Sequence, residues 1–130
     1  MRRSGGRCRS KVNAEIRSIT IDCSEPTRLA QFWAAVTGYQ LGQPDELDEV
    51  AVLRPRSGQG PRLLFLKVPE RKSVKNRVHV DIKPDLPIEQ AVEQLLALGA
   101  TRVRVVSESD DDVFTVMQDP EGNEFCVESR

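Results

Sequence analysis

The chain has 130 residues, 38% of them hydrophobic, with 19 Lys plus Arg against 20 Asp plus Glu and a formal net charge of −1. That length suits one domain with its own core, since domains run to about 100–150 residues. The near-neutral balance supplies no field to hold a nucleic-acid backbone, and no apolar run reaches the roughly 18 residues of a membrane span. The start lacks the apolar stretch of an export signal, so the expected compartment is the cytoplasm. Cys8, Cys23 and Cys126 are odd in number and form no C-x-x-C pair, which fits free thiols rather than a disulfide scaffold or a Cys-rich zinc site.

The average charge hides an asymmetry. Residues 1–12 contain Arg2, Arg3, Arg7, Arg9 and Lys11 and no acid, a segment of +5; the remainder, with 14 basic and 20 acidic residues, carries −6. With Gly5, Gly6 and no apolar period, this segment is expected to be a disordered basic tail, and residues 13–130 a single folded domain. The tail reads as a solvated extension, with docking on an anionic surface as the alternative.

Strand and helix then alternate. Ile16, Ile19 and Ile21 around Ser18, Thr20 and Asp22 predict a strand with one apolar face. Ser24 is placed to cap a helix whose first turn holds Glu25 and Pro26, whose buried stripe is Leu29, Phe32, Trp33 and Val36, and which Gly38 stops. An acidic turn over residues 43–49 leads to a strand over residues 50–54. The turn at residues 57–60 leads to another over residues 63–68. Val78, Val80 and Ile82 alternate with Arg77, His79 and Asp81 in a further strand. Ile88, Ala91, Val92, Leu95 and Leu98 form a second helical stripe ended by Gly99. Strands over residues 101–106, 113–118 and 124–128 complete the chain, and the acidic stretch from residue 108 to 112 reads as a solvated hairpin loop rather than a cation loop.

The plan repeats. Ser18-Ile19-Thr20-Ile21-Asp22 aligns with Arg77-Val78-His79-Val80-Asp81, and Gly38 with Gly99, so the fold expected is a duplicated β-α-β-β-β unit. The first module covers about residues 13–72 and the second about 73–130.

The ordered segments Ile21-Asp22-Cys23-Ser24-Glu25-Pro26, Leu29-Ala30-Gln31-Phe32-Trp33, Lys75-Asn76-Arg77-Val78-His79-Val80-Asp81 and Asp119-Pro120-Glu121-Gly122-Asn123-Glu124-Phe125-Cys126 resemble the vicinal oxygen chelate superfamily. That superfamily holds glyoxalases, bleomycin-resistance proteins and dioxygenases, and the likeness is to its bacterial glyoxalase-like domain group. The resemblance implies an α+β fold of two tandem modules, forming a concave mixed sheet with helices on its convex face. It also implies a pocket where metal-using relatives hold a divalent ion by a His on the first strand and a Glu on the last strand of each module.

Mapped by alternation, the pocket-facing residues expected here are Asp22, Phe65, His79, Asp81, Cys126 and Glu128. The family's ligand positions fall at Ser18 or Thr20, near Phe65, at His79 and at Cys126, where the pattern would have Glu. The inherited metal site is therefore read as degenerate and no cofactor is expected. The reading is a protein that binds a small organic ligand, with no membrane or nucleic-acid partner and with a homodimer compatible. The alternative is a metal-dependent lyase, isomerase or dioxygenase-like enzyme whose site is rebuilt around His79, Cys126 and one of Asp22, Asp81 or Glu128, with His79 the candidate acid/base. Asp22 and Asp81 read either as acceptors for the loops that open each helix or as a carboxylate pair across the module seam. Trp33 and the Asp119-Pro120-Glu121-Gly122 turn are expected to be architectural.

Overall fold

The structure is a computed structural model that describes residues 12–109 and 112–129. The expected basic tail, Val12 excepted, lies outside the described residues, as do residues 110 and 111 of the expected acidic loop.

The order of elements is β1 (Ser18–Cys23), α1 (Pro26–Thr37), β2 (Gln40–Leu41), β3 (Val50–Arg54), β4 (Arg62–Lys67), then β5 (Val80–Ile82), α2 (Ile88–Ala97), β6 (Thr101–Ser109), β7 (Asp112–Gln118) and β8 (Glu124–Glu128). Each half makes a four-stranded sheet of the same topology, β1-β4-β3-β2 and β5-β8-β7-β6. In both, the first strand pairs in parallel with the last, and the other pairings are antiparallel. The duplicated β-α-β-β-β plan is thus present, with a mixed sheet in each module and the helices packed on the apolar faces. β2 escapes sequence reading because two residues cannot display a period.

Helix α1 starts with Pro26, whose fixed φ suits a first turn, and ends at Gly38, whose φ of 75° lets its N–H turn back to the Ala34 carbonyl at 2.8 Å. Its buried stripe is Leu29, Ala30, Phe32 and Trp33. The expected cap does not form. Glu25 occupies the N-cap position without a side-chain hydrogen bond, and the free N–H groups are taken from a distance. Ser24 and Glu25 donate their backbone N–H groups to Glu121 Oε1 and Oε2 at 2.6 and 2.9 Å, and Thr27 donates its own to Asp48 Oδ1 at 2.9 Å.

One core runs through both modules. Phe32, Trp33 and Phe125 form an edge-on aromatic cluster with centroids 5.0–6.2 Å apart. Such pairs contribute about 0.5–1.5 kcal/mol each beyond the area they bury. Trp33 Nε1 donates to buried Asp119 Oδ2 at 3.1 Å, so α1 of the first module is hydrogen-bonded to the last hairpin of the second. Asp119 also holds its own turn, accepting from the N–H groups of Glu121 and Asn123 at 2.9 and 3.0 Å.

Candidate functional site

β1 and β5 are each an edge strand of their sheet. Between them, and beside the segment that links the modules, lies a cleft of about 900 Å³. Ile19, Ile21, Val80 and Trp33 are among its apolar lining residues, and Asp22 and Arg77 are among its polar ones. The linker is fastened to β8: the Asn76 N–H donates to Glu124 Oε1 at 3.1 Å, and the Glu124 N–H donates to Asn76 Oδ1 at 3.2 Å. Lys75 Nζ lies 3.2 Å from the same carboxylate, and these contacts hold Glu124 below the usual carboxylate range, Lys75 first and the Asn76 N–H second. Of the linker cations, Lys75 is therefore paired, and Lys72 and Arg77 line the cleft with it.

The helix-free face of the second sheet carries the densest group of ligating side chains. Asp81 and Cys126 are register partners on adjacent parallel strands, so their side chains share a face. His79, two residues before Asp81, joins them. The ligating atoms of His79, Asp81 and Cys126 all lie within 4.8 Å of one another. His79 and Asp81 are exposed and Cys126 is half-buried. Burial pushes the Cys126 thiol above its ordinary value, and the charge of Asp81 adds to this; Glu128 acts in the same sense and Arg104 against it. Such a thiol stays protonated near neutrality, which disfavours Cys126 as a free nucleophile.

The other expected positions separate. Asp22 lines the cleft, in register with Leu66, and is not part of the three-residue group. Glu128, the next residue of β8 on the Cys126 face, also stands outside that group. Phe65 was expected in the pocket and is instead fully buried, at 0% exposure, in the core beneath the helices. In β4 the buried residues are Leu63 and Phe65, so Leu64 and half-buried Leu66 take the opposite face. A one-residue slip reverses every side chain of a strand. The first-module counterpart of Cys126 is consequently Leu66, the register partner of Asp22 as Cys126 is of Asp81.

Ser18 is also committed elsewhere, its hydroxyl accepting from Arg62 Nε at 2.7 Å. The sequence shows Ile19 and Ile21 on one apolar face of β1 but carries nothing to show that this face borders a cleft. Among the described residues β1 pairs only with β4, and Ile19 on it is 38% exposed.

The family model for the glyoxalase-like domain matches residues 18–128. The chain belongs to the glyoxalase-like domain family. This places it in the vicinal oxygen chelate superfamily, and solved structures of that fold superpose on it. A glyoxalase/bleomycin resistance protein/dioxygenase family enzyme from Burkholderia phytofirmans PsJN has a TM-score of 0.69 at 18% identity, covering 88% of this chain and 98% of its own. A glyoxalase-related enzyme from Fulvimarina pelagi has a TM-score of 0.68 at 15% identity, covering 88% and 86%. A fosfomycin resistance protein, FosX from Listeria monocytogenes, solved as a mutant with Mn(II) and 1S,2S-dihydroxypropylphosphonic acid, has a TM-score of 0.70 at 8% identity, covering 92% and 91%. At these identities the likeness is one of fold. No curated protein matches the chain.

The divalent ion of metal-using glyoxalase-like proteins draws ligands from both modules. At the corresponding first-module positions stand Thr20, Leu66 and a Ser18 held by Arg62; Leu66 has no donor atom, and a neutral hydroxyl is a weak ligand beside the imidazole and carboxylate of metal-using relatives. The residues present do not fit that two-module centre. What the described residues retain is the one-module group of His79, Asp81 and Cys126.

Proposed function

We propose that this glyoxalase-like domain binds a small organic ligand in the cleft between β1 and β5, without the two-module metal centre. The cleft itself carries the reading. Its volume of about 900 Å³ is that of a small-molecule site, and its lining combines apolar side chains, Ile19, Ile21 and Val80 among them, with many charged and polar ones supplied largely by the linker. Asp22 and Arg77 would orient a ligand with both donor and acceptor groups, while Ile19, Ile21 and Val80 take its apolar body. His79, Asp81, Cys126 and Glu128, on the adjoining face, would extend the surface that meets the ligand. Free thiols at Cys23 and Cys126 accord with a cytoplasmic setting, and the edge strands β1 and β5 accord with pairing to a second copy. No helix of the described residues is long and apolar enough to cross a membrane.

The test is an NMR titration of the labelled protein with a panel of small aromatic and aliphatic carboxylates and phosphonates. Amide shifts concentrated at residues 19–22 and 76–81 are expected, and Ile21→Trp, which adds bulk to the lining, should weaken binding at least tenfold. Binding that Ile21→Trp leaves intact, or shifts confined to the helices, would overturn the reading.

A further inference from the structure

We infer that the ligand of the cleft is an organic anion, a carboxylate or phosphonate oxyanion on an apolar body, received by Arg71 and Arg77. This rests on the proposed ligand cleft and names the chemical class that the cleft selects. Five carboxylates and four cations line it, so its formal charge is nearly balanced. The two signs differ in which groups already have partners. Three of the carboxylates are committed to the fold. Asp119 is buried and accepts from the Trp33 indole and from the N–H groups of its own turn. Glu121 gives both oxygens to the N–H groups just before α1, where the helix dipole offsets its charge. Glu124 accepts from the Asn76 N–H and is paired with Lys75. Asp22 and Glu70 remain, and Asp22 stands on β1 rather than on the linker.

All four cations fall within residues 71–77 of the linker, and among the described residues only Lys75 of the four forms an ion pair. Lys72 Nζ donates to the Val74 carbonyl. Arg71 and Arg77 are left with guanidinium groups that donate to no acceptor among the described residues. The backbone around Arg77 is braced on both sides: Asn76 exchanges hydrogen bonds with Glu124, and its Nδ2 donates to the Val78 carbonyl at 3.1 Å. A guanidinium presents a planar fork of N–H donors that matches two oxygens of a carboxylate or phosphonate, whereas a neutral amide offers it one carbonyl. With Ile19, Ile21 and Val80 in the same lining, the site suits a charged head on an apolar body. A cationic head would meet Asp22 and Glu70 only in the presence of the linker charges that have no carboxylate partner.

The experiment is an NMR titration of the labelled full chain at neutral pH with four compounds that share one ring: benzoate, phenylphosphonate, benzamide and benzylamine. The two anions are expected to shift amides at residues 19–22 and 76–81, the tighter of them naming the head group. Benzamide and benzylamine should bind about fivefold or more weakly, the scale of a charge-assisted hydrogen bond. Arg71→Gln and Arg77→Gln should each weaken the anions about threefold and leave benzamide unchanged. Lys83→Gln, outside the cleft, should alter neither. Thermal unfolding of each variant verifies that it is folded. Benzamide bound as tightly as the anions, anion affinity intact in both arginine variants, or an equal loss in Lys83→Gln would overturn the anion assignment and leave the ligand cleft standing. No shift at those amides with any of the four compounds would overturn both.

Discussion

Glu121 accepts the backbone N–H of Ser24 at 2.6 Å across 97 residues of sequence, and its second oxygen takes the N–H of Glu25. A carboxylate from the last hairpin of the second module therefore supplies the negative charge that the N-terminus of α1 favours, in place of a local cap.

Removing that carboxylate should loosen α1. Glu121→Ala is expected to cost about 1 kcal/mol, the usual worth of a helix cap, with Glu121→Gln less damaging because one acceptor survives. Urea unfolding of the two variants measures this. An unchanged midpoint for the alanine variant would show that water replaces the carboxylate without loss.

Asp119 carries a larger penalty. It is 3% exposed and accepts from the Trp33 indole and from the turn N–H groups, so Asp119→Ala leaves several donors unpaired in the interior. A loss of about 3 kcal/mol is expected, since a buried donor without a partner costs about 1–3 kcal/mol. Trp33→Phe should cost less, and a double-mutant cycle between the two should show a coupling of about 1 kcal/mol or more. Additive effects would sever the proposed link.

Acid should act through Asp48. The Thr27 hydroxyl and backbone N–H hold its carboxyl below the usual range. A carboxyl depressed in the folded state stabilises at pH above its unfolded value, near 4, and that contribution disappears as pH falls through the folded value. Melting temperatures of the wild type and Asp48→Asn should differ at pH 7 and converge toward pH 2. A difference that stays constant across this range would exclude Asp48 as the sensor.

Alkali should act in the opposite sense on Cys23. Burial first, then the charges of Glu121, Asp48, Asp22 and Asp119, push its thiol up to about 12. A thiol raised in the folded state stabilises at pH below its unfolded value of about 8.5, and the contribution is lost as pH climbs toward 12. At pH 8.5, iodoacetamide should therefore label Cys126 before Cys23, with Cys23 reacting only once denaturant is added. Equal labelling rates in the folded protein, read by peptide mass spectrometry, would contradict this.

The sequence carried the repeat, both helices and most strands because their apolar residues recur at helical or strand spacing and glycines stop the helices where the chain must turn. Alternation put His79 and Asp81 on one face of their strand and Cys126 with Glu128 on one face of another, but it left open which carboxylate joins His79 and Cys126; that choice needs the β5–β8 register, which sets Asp81 beside Cys126. It misplaced Phe65 because Leu63-Leu64-Phe65-Leu66 is apolar on both faces, and an unbroken run contains no period from which to choose a side. The capping of α1 was illegible for another reason: local rules point to Ser24, and nothing near residue 24 announces a partner at residue 121.

The Trp33–Asp119 hydrogen bond and the packing of Trp33 on Phe125 also change what the duplication means for this molecule. Two halves with the same strand order are not interchangeable parts, because the helix of one half completes the interior of the other. A chimera carrying two copies of either half would lack the aromatic plug or the carboxylate that receives it. The chain should therefore melt in one concerted transition, and breaking it between the modules would leave fragments that must find each other before either can hold its shape.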